Sequence, residues 1–266
     1  MILSLPPELR PLLETFAHEA QSAGIGLYVV GGLVRDLLLG KPNTDLDFVI
    51  EGDALIFVQR LRDHFGGGDL THHPAFGTVT WTPVPGTFGV RFMDFATART
   101  ETYASPGALP TVRPSTLADD LRRRDFSINA MALRLSPAPL GELIDPFGGQ
   151  RDLERQILCV LHARSFIDDP TRMLRGLRFI HRFGMVFDDA TDALIPEALP
   201  FLDSVSGDRL RHEFELGWNE AEPEAVLAGL DAKGILDRVG LRFEAWQVGA
   251  MSAARGFRAQ TLWGDF

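Results

Sequence analysis

The chain has 266 residues, of which 45% are hydrophobic, and a formal net charge of −10. This length and composition suffice for one large or two modest domains with a hydrophobic core, and the negative charge argues against a protein that coats nucleic acid through a broad basic surface. The single cysteine, Cys159, excludes an intramolecular disulfide bond.

The N-terminus lacks a basic leader, Pro6-Pro7 interrupt it, and no apolar run in the chain reaches 18 residues. We therefore expect neither a signal peptide nor a membrane span. The lone cysteine is consistent with a reducing compartment. Together these features favour a cytoplasmic location.

The first predicted elements lead to a pair of acidic residues. A helix is expected from Pro7 to Ala23, followed by an apolar strand that stops at Gly31-Gly32, a short amphipathic helix and a turn over residues 40–44. A second strand then opens with Asp45-Leu46-Asp47. Because side chains alternate along a strand, the two carboxylates are expected to share one face.

This acidic pair, Asp45 and Asp47, has two interpretations. Two hard oxygen ligands suit Mg²⁺, which keeps its other positions for water and phosphate; the alternative is a solvated strand end without a metal. Upstream, the backbone of Gly32 at a helix N-terminus and the guanidinium of Arg35 predict a phosphate cradle. A cradle close to a metal-binding pair indicates a site for a nucleoside triphosphate.

The next segment predicts a small mixed sheet followed by a long loop. After a helix over residues 53–65, segments 69–73, 77–82 and 89–95 alternate like strands between Pro/Gly turns. Residues 99–116 contain three prolines and little periodicity, so we expect a functional or disordered loop there.

Beyond the loop the pattern becomes helical and locally basic. Three arginines stand together at 122–124, and on a helix they would point in three directions. Residues 122–182 carry eleven Arg against seven Asp and Glu, which suits a grip on one RNA end. We place a domain boundary near 148. The later helices are expected at residues 169–184, 189–200, 207–218 and 222–234.

The helix after residue 168 carries a candidate base-reading pair. Asp169 and Arg172 stand three residues apart and therefore adjoin on a helix. A structural interpretation makes Asp169 the N-cap, Pro170 the first helical residue and Arg172 a salt-bridge partner, with the other arginines in water. Because an interior proline costs about 3 kcal/mol, we expect the helix to begin at 169.

The functional interpretation of this pair rests on hydrogen-bond polarity. Cytosine and adenine present an amine donor beside a ring-nitrogen acceptor, whereas uracil and guanine present the reverse. The carboxylate of Asp169 only accepts and the guanidinium of Arg172 only donates, so the pair fits CTP and ATP. Each unpaired buried group costs about 1–3 kcal/mol, which predicts a selectivity on the order of 10² without a template.

Three ordered motifs resemble one family. Gly-Gly-Leu-Val-Arg-Asp followed by Asp-Leu-Asp (31–47), Arg-Arg-Asp-Phe-Ser-Ile-Asn-Ala (123–130) and Asp-Asp-Pro-Thr-Arg (168–172) are similar to motifs of the class II tRNA nucleotidyltransferase (CCA-adding) and bacterial poly(A) polymerase family. The resemblance covers about residues 25–185. It implies an α+β fold in which a polymerase-β-like nucleotidyltransferase head, a mixed sheet with helices (1–148), precedes an all-helical neck and partial body (149–266) that binds the RNA and the nucleobase.

The same resemblance implies residue roles. Asp45 and Asp47 would be catalytic and bind Mg²⁺, and Asp94 would be either a third carboxylate or a structural residue. The residues implied to bind CTP or ATP are Gly32, Arg35, Arg124, Asp169, Arg172, Arg175 and Arg178. Asp125 would support the sugar side or orient the arginine, and the loop at 99–116 matches a flexible loop thought to help switch between nucleotides.

The implied activity is addition of C, A or both (CCA, CC or A) to the 3′ end of tRNA. A poly(A) polymerase of the same family and a non-catalytic RNA-binding module remain as alternatives. Family members usually continue into helical regions that hold the tRNA, and this chain stops at Phe266. A short form, a partner that supplies the grip, or a fragment would each account for that, and the pattern carries no signal for an oligomeric state.

Overall fold

The computed structural model describes residue 7 and residues 9–241, which form two compact units. The first unit contains the chain up to Thr102 and then 110–155, and the second contains 103–109 and the chain from Gln156 onward. This division falls after Arg155, whereas the sequence placed a boundary near 148. Residues 242–266, which the sequence assigned to the partial body, lie outside the described residues.

The first unit is built on a mixed sheet. Its strands are β1 (Gly26–Val30), β2 (Leu46–Glu51), β3 (Asp69–His73), β4 (Thr78–Thr82), β5 (Met93–Thr97), β6 (Arg99–Thr102), β7 (Thr111–Pro114), β8 (Ala132–Ser136) and β9 (Leu143–Ile144). Its α-helices are α1 (Arg10–Ser22), α2 (Gly32–Leu38), α3 (Ala54–His64), α4 (Leu117–Arg122) and α5 (Gly149–Arg155), and a 3₁₀ turn spans Ser127–Asn129.

Seven of these strands form one sheet in the order β3-β4-β5-β2-β1-β8-β9. β2 runs parallel to β5 and antiparallel to β1, and the remaining neighbours pair antiparallel. The predicted mixed sheet with helices is therefore confirmed.

The two faces of β2 pack against different elements. On one face Phe48 stacks on Phe95 of β5, with ring centroids 4.6 Å apart, and both meet Phe16 of α1. On the other face Val49 packs in a buried cluster with Leu117 of α4. Because side chains alternate along a strand, Asp47 lies on the same side of the sheet as Val49 and α4. Its side chain is exposed there.

The structure differs from the predictions in three segments of this unit. The segment predicted at 89–95 begins as a strand only at Met93, which pairs with Leu46 at the start of β2. The loop predicted at 99–116 contains the antiparallel hairpin of β6 and β7; its polar, half-exposed residues hide the strand signal. β8 was not predicted, because it is nearly all buried and lacks alternation.

In its described residues, the second unit consists of helices and one short parallel pair of strands. Its elements are β10 (Ile157–Leu158), α6 (Ser165–Asp168), α7 (Thr171–Phe183), β11 (Val186–Phe187), α8 (Asp189–Asp192), α9 (Ile195–Ala198), a 3₁₀ segment (Leu199–Ser204), α10 (Gly207–Trp218), α11 (Pro223–Ala232) and α12 (Ile235–Arg238). α7 packs against α10 and α11. The expectation of an all-helical region misses the β10–β11 pair. Within the described part of the chain, no helix has the length and apolar character needed to cross a bilayer.

Candidate active site

Two aspartates lie side by side on the face of the first unit's sheet that also packs against α4. Asp47 on β2 pairs in register with Asp94 on β5, and Thr80 on β4 pairs with Asp94 from the other side. The hydroxyl of Thr80 donates a hydrogen bond to Asp94 Oδ1, which fixes the rotation of that carboxylate. The sequence pattern placed Asp94 in a predicted strand, and only the family resemblance suggested a third carboxylate there; the parallel register brings Asp94 opposite Asp47.

The electrostatic environment of Asp47 is predominantly negative. Partial loss of hydration and then the charge of Asp94 raise the pKa of Asp47; Arg124 opposes this rise, and Asp45 adds to it. Asp45 itself lies just before β2 and is exposed. A bound cation would relieve the repulsion among these carboxylates.

This acidic cluster fits a divalent cation that also has ligands from its substrate. Among the described residues, no set of three or more His, Cys, Asp or Glu side chains is arranged to hold a metal ion. Mg²⁺ is commonly bound by one or two carboxylates, with phosphate oxygens and water completing its shell. The donor set of Asp45 and Asp47 suits that mode and does not suit a closed protein cage.

The glycine pair begins the segment between β1 and α2. Gly31 has a left-handed φ of +66°, and a Cβ there would lie 2.9 Å from Arg124 Nη1. The positive φ favours glycine at this position, and a Cβ there would force the Arg124 guanidinium to shift. A Cβ on Gly32 would make only ordinary contacts, 3.6 Å from Arg35 Nη2 and 3.7 Å from Asn43 Nδ2. Packing does not demand glycine there, so the close approach of a phosphate to Gly32 stays a prediction.

Arg124 is held beside the glycines by a buried acid. Its Nη2 and Nε donate to Asp120 Oδ2 at 3.0 and 3.3 Å. Burial alone would raise the pKa of Asp120, but the charges of Arg124 and Arg123 outweigh it and lower that pKa. The ionised Asp120 therefore orients Arg124 next to Gly31 and within electrostatic range of Asp47. From the sequence, the acids that flank the three arginines were expected only as their partners on a solvated helix; the burial of Asp120 and its role in orienting Arg124 were not predicted.

Arg35 has partners that differ from the predicted ones. Its guanidinium is buried, donates to both oxygens of Asp36 at 2.9 and 3.1 Å, and donates to Asn129 Oδ1 at 2.7 Å. Asn129 in turn donates to Asp125 Oδ1 at 3.0 Å. A direct triphosphate contact by Arg35 stays a prediction, and the structure supports a positioning role for it. The bond from Asn129 therefore links Asp125 to the Arg35 network. The expectation that Asp125 orients Arg124 stays a prediction.

In the second unit the predicted helix start needs correction. α6 ends at Asp168, Asp169 is extended (φ −135°, ψ 93°), and α7 begins at Thr171. The residue before a proline is disfavoured in the α conformation, so Pro170 forces the break at Asp169. The helix therefore begins two residues later than the expected 169.

The two carboxylate oxygens of Asp169 have different surroundings. Oδ1 accepts hydrogen bonds from Thr171 N at 3.1 Å, Thr171 Oγ1 at 2.7 Å and Arg209 Nη2 at 2.7 Å. Oδ2 lies 4.0 Å from Arg172 Nε. Oδ1 is thus occupied by protein donors, although the N-cap of α7 is Pro170 and not Asp169 as the structural interpretation expected. Oδ2 and Arg172 keep the acceptor–donor arrangement that the base-reading prediction requires. The sequence analysis did not identify Arg209 as a partner of Asp169.

The arginines of α7 other than Arg172 do not all lie in water as the structural interpretation assumed: Arg182 is exposed, but Arg178 is not. Arg172 and Arg178 are buried. Arg175 donates to Glu213 Oε1 at 2.6 Å, and Arg178 lies between Glu213 and Glu220 at 3.8 and 3.5 Å. Burial lowers the pKa of Arg178, and Glu213 opposes that change. Triphosphate binding by Arg175 and Arg178 stays a prediction, and the buried Glu213, another residue that the sequence did not reveal, is their partner here.

Comparison with known proteins shows which proteins this chain is similar to. The sequence profile of the poly A polymerase head domain matches residues 27–159. The A-adding tRNA nucleotidyltransferase of Halalkalibacterium halodurans is 46% identical over 224 residues, which cover 83% of this chain and 51% of that protein. The CC-adding tRNA nucleotidyltransferase of Deinococcus radiodurans is 39% identical over 230 residues, covering 86% and 59%.

A solved structure agrees with these sequence matches. The Thermotoga maritima CCA-adding enzyme complexed with tRNA-CCA superposes with a TM-score of 0.76 at 36% identity, covering 88% of this chain and 53% of that one. The chain therefore spans about half the length of these three proteins.

Proposed function

The chain belongs to the class II tRNA nucleotidyltransferase and bacterial poly(A) polymerase family, and on that premise we propose that it transfers nucleotides from CTP or ATP to the 3′ end of tRNA. The observation that carries the proposal is that Asp47 on β2 and Asp94 on β5 pair in register, with Arg124 within electrostatic range of Asp47. All three residues lie inside the matched head domain. The reaction would take place in the cytoplasm, where tRNA and nucleoside triphosphates meet.

The reaction joins the 3′-hydroxyl oxygen of the RNA to the α-phosphorus, breaks the bond to the β-phosphate and releases pyrophosphate. Asp45 and Asp47 would hold Mg²⁺, which when bound activates the hydroxyl and neutralises the leaving group. Arg124, fixed by Asp120, supplies positive charge toward the phosphates, and Gly32 permits their close approach. We assign Asp94 to the same acidic cluster as a third carboxylate.

Base selection is proposed for the second unit. With Asp169 Oδ1 occupied by protein donors, Oδ2 is the acceptor for the exocyclic amine of cytosine or adenine, and Arg172 donates to the ring nitrogen. Uracil and guanine would leave both groups unpaired, which predicts a discrimination on the order of 10². Arg175 and Arg178 are proposed to contact the triphosphate, with Glu213 competing for their charge.

Relatives of this chain add A in one case and CC in another. Because the A-adding relative shares the higher identity, addition of the terminal A is the first reaction to test. A poly(A) polymerase would instead extend many RNAs with long A tracts, and a non-catalytic module would bind RNA without incorporating any nucleotide.

The deciding experiment uses three transcripts of one tRNA, ending before CCA, after C and after CC. Each is incubated with Mg²⁺ and one labelled triphosphate at a time, beside a matched Asp47→Asn variant. We expect incorporation of A onto the transcript ending in CC, or of C onto the shorter transcripts, and none with Asp47→Asn. Absence of incorporation by the folded wild-type protein, or incorporation by Asp47→Asn at the wild-type rate, would reject the proposal.

A further inference from the structure

Asn43 stands in the turn between α2 and β2, two residues before Asp45. Its side-chain amide is engaged at both ends. Nδ2 donates to Asp36 Oδ2 at 2.6 Å, and Oδ1 accepts from the backbone N–H of Asp45 at 2.7 Å. One side chain therefore connects the end of α2 to the backbone that carries the first acidic residue of the proposed metal site.

The anchor on the far side of Asn43 is buried and rigid. Asp36 is 9% exposed and accepts two hydrogen bonds from Arg35. Arg35 also donates to Asn129, which donates to Asp125. Buried polar networks of this kind specify one geometry, because any group left unpaired in a low-dielectric surrounding is costly. Asn43 transmits that fixed geometry to the turn.

Asp45 has little else to fix it. β2 begins only at Leu46, which pairs with Met93, and the pairs between β1 and β2 extend no further than Phe48. The side chain of Asp45 is exposed. Among the described residues, the hydrogen bond that the Asp45 N–H donates to Asn43 Oδ1 is thus the contact that restrains the Asp45 amide ahead of the strand.

We propose that Asn43 is a positioning residue: by fixing the backbone of Asp45 to the buried Asp36, it holds the Asp45 carboxylate where it binds a divalent cation together with Asp47. This inference rests on the proposed function, because it assigns a support to the metal site proposed there. Residues that orient metal ligands commonly change affinity about 10- to 100-fold when they are removed.

The test compares Asn43→Ala and Asn43→Ser with Thr44→Ala in the full chain. Thr44 is the exposed neighbour in the same turn and serves as the matched control. Binding of Mn²⁺ alone is followed from the electron paramagnetic resonance signal of the free ion, and thermal unfolding is recorded for each variant. A serine hydroxyl accepts from the residue two positions on more weakly than asparagine does.

We expect Asn43→Ala to weaken Mn²⁺ binding at least about tenfold, Asn43→Ser to restore part of it, and Thr44→Ala to bind like the wild type. If Asn43→Ala does not fold, Asn43→Ser decides, through the Mg²⁺ concentration that gives half-maximal incorporation, which should rise severalfold. Wild-type Mn²⁺ affinity in a folded Asn43→Ala, or an unshifted Mg²⁺ dependence in Asn43→Ser, overturns the inference.

An Asp45→Asn variant separates this inference from the proposal beneath it. Loss of Mn²⁺ binding in Asp45→Asn with unchanged binding in Asn43→Ala rejects only the role of Asn43. Wild-type binding in Asp45→Asn rejects the metal site itself, and with it the proposed reaction.

Discussion

Replacement of Arg209 by alanine tests whether the orientation of Asp169 controls base selection. The substitution removes the 2.7 Å bond from Arg209 Nη2 to Asp169 Oδ1 and the 2.8 Å bond from Nη1 to the carbonyl oxygen of Gly107. Thr171 still donates to Oδ1. The carboxylate then keeps its place in the chain but gains freedom to rotate, so Oδ2 no longer has one fixed direction.

The structure sets the size of this effect. A hydrogen bond to a charged group is worth about 1.5–3 kcal/mol, and the Arg209 side chain is 27% exposed, which places the bond with Asp169 at the lower end of that range. A loss of about 1.5 kcal/mol corresponds to roughly tenfold. If that loss falls on the correct base, the preference for ATP or CTP over UTP or GTP drops by about that factor.

The assay is the ratio of kcat/KM values for ATP and UTP on a tRNA that ends in CC, because that ratio measures discrimination directly. Arg211→Ala is the control: it removes an arginine from the same helix that pairs with Asp208 at 3.9 Å. An ATP/UTP ratio in folded Arg209→Ala equal to that of the wild type, or an equal fall in Arg211→Ala, would refute the link between Asp169 orientation and selectivity.

Three further predictions concern the rest of both units. Gly31→Ala should destabilise the fold by about 1–2 kcal/mol through its left-handed φ and lose most activity, because the Cβ would lie 2.9 Å from an arginine nitrogen; Gly40→Ala, with φ +64° and no atom within 4 Å, should show the strain with activity retained. Glu213→Gln should lower the free energy of unfolding in urea by about 3 kcal/mol, since it removes the charge from a buried ion-pair partner, whereas Glu215→Gln should change it little. Asp47→Asn should raise stability by at most about 1 kcal/mol after solvent screening, as measured by thermal unfolding. Because the pKa of Asp47 is raised, its charge is unfavourable in the folded protein at neutral pH, so this gain should shrink as pH falls through that pKa and vanish below the ordinary range of aspartate; a gain that grows in acid would contradict the assignment.

The sequence alone determined the local elements and the chemistry they carry. α10 occupies the predicted residues 207–218, because its pattern of polar and apolar residues lies within twelve neighbouring positions. The sequence also predicted three local sets of residues, since each set depends on residues only a few positions apart. They are the acidic pair Asp45 and Asp47, the glycines before α2, and the acceptor–donor pair on either side of Pro170. The three motifs were enough to indicate the family.

The tertiary structure decided which of these residues meet. Strand register places Asp94 opposite Asp47, and the fold brings Arg124 beside Gly31. Neither contact leaves a periodic trace in the chain, because pairing across a sheet joins residues whose separation is set by the connections between them. The same holds for β8, which lies between β1 and β9 in the sheet although its sequence shows no alternation.

Burial was the other property that only the fold could assign. The arginines of α7 form a polar stripe that a sequence pattern assigns to solvent, yet Arg178 is buried against Glu213 and Glu220 from elements that follow later in the chain. A charged side chain leaves water only when its partner is supplied across a packed interface. For Arg178, one such partner, Glu213, belongs to α10. The sequence of α7 therefore determines where its arginines lie on the helix, and the packing of neighbouring helices determines which of them are buried.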